Sequence, residues 1–334
     1  MHLLVLGGTV FLSRTVAETA RDAGHQVTCA ARGVSGNPPD GVEFVQVDRD
    51  QPDGLAALDA AEFDAVVDVE VQSPTRVRRA LEAVGAKAGH WTYVSSGSVY
   101  GDEETTGQDA ASAPVVAPPP KGSDETDREL YGRFKAACEA AVREAVGDKA
   151  FVCRPGLIVG PRDASDRFGY WPARLAAGGE VLVPGAPDDL VQYVDVRDLA
   201  QWIVHCAQNW VVGTFDAVAA PQPWGTVIDA MATAVGGPEV ALTWVPGPWL
   251  GEQGVAPWAG PDSLPLWLPL PAYAGFMSRD VSASLEAGLT TRRTAEIATS
   301  ALEWEQVLGL DRDRRSGITR EREADLLAAW HAAV

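Results

Sequence analysis

The sequence predicts an α/β fold, a doubly wound parallel sheet with a smaller, partly irregular C-terminal lobe. Three observations carry this. Short apolar runs bounded by glycine or proline recur through the first 160 residues, as buried parallel strands require. Segments of helical spacing alternate with them, which selects a parallel sheet covered on both faces. Residues 221–276 then change in kind, with Trp and Pro crowded into "PWLGEQGVAPWAGPDSLPLWLPLP". Proline removes backbone donors and clashes with the preceding turn, so a long helix is not expected there.

"LLVL" (3–6), ended by Gly7-Gly8, reads as the first strand, and residues 10–23 follow with Phe11, Val16, Ala20 and Ala23 at helical spacing before Gly24. "HQVTCAA", "VEFVQV" (42–47), "FDAVVDV" (63–69) and "HWTYVSS" (90–96) read as strands two to five, with a helix over 75–88. A long connection from Gly101 to Asp127 includes "APVVAPPPKG", and such lengths are usually functional flaps or disordered. Residues 128–146 return to helix, and "KAFVCRPGLIVGP" reads as a sixth strand leaving through Pro155 and Gly156. "LVQYVDVRDLAQWIVHCA" reads as a short strand and a helix that rejoin the first domain. The expected division is a nucleotide domain over 1–160, rejoined by 191–220, a substrate lobe from 161–190 and 221–290, and C-terminal helices over 291–334.

Of 334 residues, 46% are apolar and 22% charged, an ordinary globular balance. The net charge of −19 repels polyphosphate backbones and argues against nucleic acid. Cys29, Cys138, Cys153 and Cys206 lie far apart, as reduced thiols of a cytoplasmic protein would. The five histidines show no metal-ligand spacing, so no metal is expected. No stretch approaches the roughly 18–20 apolar residues of a membrane span.

The loop "GGTVFLS" (7–13) follows the first strand and opens the first helix. Here backbone N–H groups and the positive helix end meet a pyrophosphate in a Rossmann-type domain. Gly7, Gly8, Thr9, Phe11 and Leu12 are candidate cofactor contacts, although Val10 and Ser13 replace the second and third glycines of the spaced fingerprint. Val10 would crowd a phosphate only by pointing inward, and Ser13 is small. After the second strand, "CAARG" offers Arg32 and no adjacent acid. A guanidinium matches a 2′-phosphate, which favours NADP(H) over NAD(H), against the plainer reading of a solvated turn arginine. Asp48 and Arg49 either border the adenine or are surface charge.

"LYGRFK" places Tyr131 and Lys135 four apart on one helical face. A phenol with pKa near ~10 is a poor acid–base at neutral pH, and a nearby ammonium lowers it. A serine at the end of the strand "YVSSGSVYG" can hydrogen-bond a carbonyl oxygen as charge develops on it.

Together with "RPGLIVGPRD" and "YVDVRDLA", these motifs over residues 1–217 resemble the extended short-chain dehydrogenase/reductases of the epimerase/dehydratase type, in a reductase-like branch with a GGTxFLG-type start. The resemblance implies an acid–base role for Tyr131, nicotinamide ribose binding by Lys135, and a catalytic hydroxyl at Ser96, with Ser95 and Ser98 of lesser claim. It places Pro155 and Gly156 beside the nicotinamide. Gly97-Ser98 stand where dehydratases of the family carry Asp-Glu, and Leu157 stands where nucleotide-sugar enzymes tend to carry Asn.

The expected function is therefore an NADP(H)-dependent oxidoreductase acting on the carbonyl or alcohol of a small, largely apolar or aromatic molecule. Tyr170 and Trp171 would stack on substrate, with Arg167 or Arg174 holding an anionic group, and Ser98 nearby. The alternatives are an NAD-dependent sugar or nucleotide-sugar epimerase and a non-catalytic cofactor-binding relative. Relatives often form homodimers through the Tyr-bearing helix and its neighbour, and nothing in this sequence decides that.

Overall fold

The computed structural model describes residues 1–334. The parallel strands form in chain order as β1 (His2–Leu6), β2 (Gln26–Ala31), β3 (Glu43–Gln46), β4 (Phe63–Asp68), β5 (Ala88–Val94) and β6 (Ala150–Pro155). Alternation in β1 sorts the two cores. Leu3 and Val5 face α1 (Phe11–Asp22), whereas Leu4 and Leu6 pack on the side of α2 (Pro74–Val84) and α3 (Tyr131–Val146), as a period of two requires. The sixth strand leaves at Pro155 and Gly156, as the sequence leads one to expect. The chain turns out of the sheet into β7 (Leu157–Val159), and α4 (Tyr170–Ala176) and β8 (Glu180–Pro184) follow in the lobe.

After β9 (Leu190–Val191), β10 (Tyr193–Asp195) pairs with β7. Helix α5 (Val196–Gln208) packs on α1, and β11 (Gly213–Ala217) adds a seventh sheet strand beside β6. The final order is β11-β6-β5-β4-β1-β2-β3. Chain progression reverses between β1 and β4, so the carboxyl ends of those strands flank the crevice where open α/β sheets bind ligands.

The lobe corrects one expectation. Helix α6 (Trp224–Val235) is regular, because "WGTVIDAMATAV" ends before the proline-dense stretch begins. After β12 (Gln222–Pro223) and α6 come β13 (Ala241–Val245), which pairs with β8, and α7 (Gly247–Glu252). The chain ends through α8 (Ser282–Glu286), α9 (Thr294–Leu308) and α10 (Arg320–Ala333), and α9 packs on α6 and α4. One apolar cluster therefore joins Trp171, Trp224, Trp267, Ile297 and Leu327. No helix is long and apolar enough to cross a membrane.

Candidate active site

The glycine loop is built for close approach. Gly8 has φ +90°, and a Cβ there would lie 2.3 Å from Cys29 Sγ on the neighbouring strand β2. Only glycine suits both the backbone and the space. Ser13, at the third fingerprint place, is buried and donates from Oγ to the Val10 carbonyl at 2.8 Å. Val10 is 47% exposed and lies toward the Gly36 turn. It also provides no side-chain cap to α1, leaving the first helical N–H groups, those of Phe11, Leu12 and Ser13, free of helical partners. Thr9 and Leu12 are themselves largely buried beneath this loop. The donors and the crowded glycine cradle fit a dinucleotide pyrophosphate.

Beside the loop, Gly7, Thr9, Val10, Arg32, Asp48 and Arg49 border one cleft of about 260 Å³. Arg32 is exposed on its rim and forms no ion pair within 4 Å. Arg49 is committed elsewhere. Its Nη1 lies 2.9 Å from Asp68 Oδ1 and its Nη2 donates to the Leu6 carbonyl at 3.2 Å, so it ties the ends of β1 and β4. Asp48 accepts from the Asp50 amide at 3.0 Å and so shapes its own turn.

At the end of β5 the two adjacent serines point to different tasks. Ser95 is buried and donates to Glu139 Oε1 at 2.6 Å. Ser96 is only partly buried, and its Oγ accepts from the Ser98 amide at 3.1 Å and meets Ser98 Oγ at 3.2 Å. Helix α3 docks directly on this turn, since a Cβ at Gly132 would fall 2.0 Å from the Ser98 carbonyl oxygen. Tyr131, one residue earlier, is thereby brought to the Ser96 turn, half-buried and beginning the helix. On the opposite side, Gly97 lies against the Pro155 carbonyl and Gly156 against Val218.

Lys135 is 3% exposed. Its Nζ donates to the carbonyls of Glu70 at 2.8 Å and Val94 at 2.6 Å and to Tyr93 Oη at 3.2 Å. Three acceptors match three ammonium protons, which keeps a buried charge satisfied at the strand ends.

Glu139, one turn after Lys135 on α3, anchors the layer beneath. It accepts from Arg154 at 2.7 and 2.9 Å and from Arg143 at 2.9 Å. Burial works to raise its pKa, but the bonds from Arg154, Ser95 and Arg143 more than reverse this and hold it below the usual carboxylate range.

On the lobe side, Tyr170 and Trp171 do not face the cleft. They belong to the lobe core, with Trp171 edge-on to Trp224 and its Nε1 donating to the Pro265 carbonyl at 3.0 Å. Arg174 is likewise structural, paired with Glu323 and donating to the Gly178 carbonyl at 2.9 Å. The helical turn of α4 rotates these side chains inward, which leaves them almost no surface to offer a substrate. Arg167 is not part of that core packing, and its Nε donates to Ser165 Oγ at 3.2 Å. It has no ion partner within 4 Å, lies over the Trp258 ring at 5.0 Å, and its charge is close enough to interact with Asp163 and Tyr131. Burial lowers its pKa.

Sequence reading missed Trp258 and Phe276, which pack edge to face at 5.6 Å, with Phe276 beside Gly97. It also missed Tyr100, Asp216 and Arg279. Tyr100 Oη donates to Asp216 Oδ1 at 2.6 Å, Arg279 Nη2 donates to Asp216 Oδ2 at 3.1 Å, and the Arg279 guanidinium stacks 3.7 Å from the Tyr100 ring. Only the "VYG" motif around Tyr100 carried a local signal. The 101–127 connection is held at both ends: Gly275 donates to the Glu103 carbonyl at 2.8 Å, and Glu125 accepts from Thr75 Oγ1 at 2.6 Å.

Residues 3–215 match the family described as the NAD dependent epimerase/dehydratase family. A relative from Streptomyces kanamyceticus, 2'-dehydrokanamycin reductase, is 30% identical over 268 residues, covering 76% of this chain and 72% of its own. The chloroplast stem-loop binding protein of 41 kDa b from Arabidopsis thaliana is 27% identical over 222 residues, covering 62% and 55%. Solved structures of the same fold include the Bordetella bronchiseptica enzyme WbmH in complex with NAD+. It has a TM-score of 0.63 at 17% identity, with 91% of this chain and 98% of that one covered. Another is a UDP-glucuronic acid 4-epimerase from Bacillus cereus in complex with NAD, also with a TM-score of 0.63, at 13% identity and with 95% and 100% covered.

Proposed function

This chain belongs to the NAD-dependent epimerase/dehydratase family and is an NAD(P)-dependent enzyme of the extended short-chain dehydrogenase/reductase type, and we propose that it is an NADP(H)-dependent carbonyl oxidoreductase. The observation that supports it is the close approach of Gly132 to the Ser98 carbonyl, which starts the Tyr131-bearing helix beside the Ser96 turn. In this reading the bound nicotinamide supplies or accepts the hydride. Ser96 donates to the substrate oxygen, and Tyr131 delivers the proton that the oxygen needs as negative charge develops. Lys135 lies one helical turn from Tyr131, its ammonium held at the strand ends by the Glu70 and Val94 carbonyls and Tyr93 Oη.

Arg32 supports NADP(H), because its exposed guanidinium makes no ion pair within 4 Å and stands on the rim of the nucleotide cleft, with Asp50 near enough to feel its charge. An exchangeable cofactor suits net redox turnover. The relative named as a reductase supports the same direction. Trp258 and Phe276 would offer an aromatic wall to one face of a small substrate, with Arg167 at its edge.

Purified protein mixed with NADPH and a panel of aldehydes and ketones should oxidise the cofactor, followed at the nicotinamide absorbance. Tyr131→Phe should abolish turnover while leaving the cofactor-induced rise in thermal midpoint intact. Tightly held NAD together with turnover lacking net redox would instead favour an epimerase.

A further inference from the structure

A small pit opens beside Gly97, between the catalytic turn and the lobe. Gly97, Gly156, Gln192, Asp216, Phe276 and Arg279 border it, and its volume is about 20 Å³. That is enough for one oxygen atom, since a single water needs roughly 10–15 Å³ on this measure. Arg279 is 5% exposed, and its Nε–H has no protein acceptor. Such a buried donor is costly when left unmade.

The pit's position is fixed independently of any occupant. Arg279 donates from its backbone amide to Gln192 Oε1 at 2.7 Å, and Gln192 Nε2 donates back to the Arg279 carbonyl at 3.0 Å. Stacking on Tyr100 and the bond to Asp216 then hold the guanidinium.

Charge and donor count narrow the occupant. Arg279 is paired with Asp216 at 3.1 Å and Arg154 with Glu139 at 2.7 Å, so the surroundings carry no net charge to draw an ion. The free Nε–H requires an acceptor. Each Asp216 oxygen accepts one bond from the protein, and a carboxylate retains further lone pairs for a donor. A hydroxyl meets both needs at once. Gly97 directly follows Ser96, so the pit adjoins the turn that would hold the reacting carbonyl oxygen.

We propose that this pit is a specificity subsite for an uncharged hydroxyl carried close to the reacting carbonyl, with Arg279 donating to it and Asp216 accepting from it. The substrate class is therefore a hydroxy ketone and its diol. The inference rests on the reductase reading for the position of the carbonyl, but its test does not need turnover.

The protein, saturated with whichever dinucleotide it binds, is titrated calorimetrically with trans-1,2-cyclohexanediol and with cyclohexanol. The diol should bind at least about tenfold tighter, the scale of one charge-assisted hydrogen bond, and Arg279→Gln should erase the preference. Because that change leaves Asp216 without its partner, the double variant Asp216→Asn with Arg279→Gln is measured alongside, with the dinucleotide-induced thermal shift reporting an intact fold. Equal binding of the two alcohols by the unaltered protein, or no binding of either, means the pit holds a water and overturns the inference even if ketones are reduced. Diol preference without ketone reduction would keep the subsite and reject the reductase reading.

Discussion

Substituting Gly132 by alanine is the sharpest test of how the fold sets the catalytic geometry. The added Cβ would stand 2.0 Å from the Ser98 carbonyl oxygen and 2.9 Å from its carbon, whereas real Cβ contacts essentially never fall below 3.0 Å. The obstacle is backbone, so no side-chain rotation relieves it. Helix α3 and the Gly97–Val99 turn must part by about 1 Å, and misplacement on that scale costs on the order of 100-fold in rate. Overpacking of this kind also costs about 1–3 kcal/mol of stability. The assay is steady-state NADPH oxidation with a carbonyl substrate, paired with thermal denaturation with and without cofactor. The expected result is a kcat near 1% of the original with cofactor stabilisation retained, because the glycine cradle at Gly7 and Gly8 packs against Val69, Ser13 and Cys29 and not against Gly132 or Ser98. A variant with undiminished kcat would refute the argument that this contact positions Tyr131 against Ser96.

Two further changes probe other layers. Arg32→Ala should raise KM for NADPH by about ten- to a hundredfold, the value of one charge-assisted contact, and leave KM for NADH nearly unchanged; an equal effect on both would remove the 2′-phosphate assignment. Glu139→Gln breaks a buried ion pair and should lower unfolding free energy in urea by about 3–5 kcal/mol at neutral pH. Because the folded protein holds Glu139 below the usual range, its stabilisation is present above the unfolded pKa of about 4.3 and is lost as pH falls through the lower folded value. The gap between original and variant should therefore narrow below about pH 4, and a gap independent of pH would contradict the assignment.

The strands and the first glycine turn were legible because their signals are local. The continuous apolar run "LLVL", the stop at Gly7-Gly8, and the four-residue spacing of Tyr131 and Lys135 are each read within a few residues. Helix α6 was missed because the proline density of its neighbours was read into it, and β11 because five residues, "GTFDA", carry little apolar pattern at a sheet edge.

Residue types and their order determined by themselves the parallel α/β architecture, the nucleotide turn and the catalytic candidates, since backbone sterics and hydrophobic periodicity act over a few residues. Tertiary structure alone decided that Ser95 is tied to Glu139 while Ser96 is left only partly buried, that Tyr170, Trp171 and Arg174 turn into the lobe core, and that Tyr100, Asp216 and Arg279 converge beside Gly97. Those outcomes depend on how separate elements pack across more than a hundred residues of chain. No local pattern encodes that packing, because it is fixed only when the sheet, α3 and the lobe close on one another.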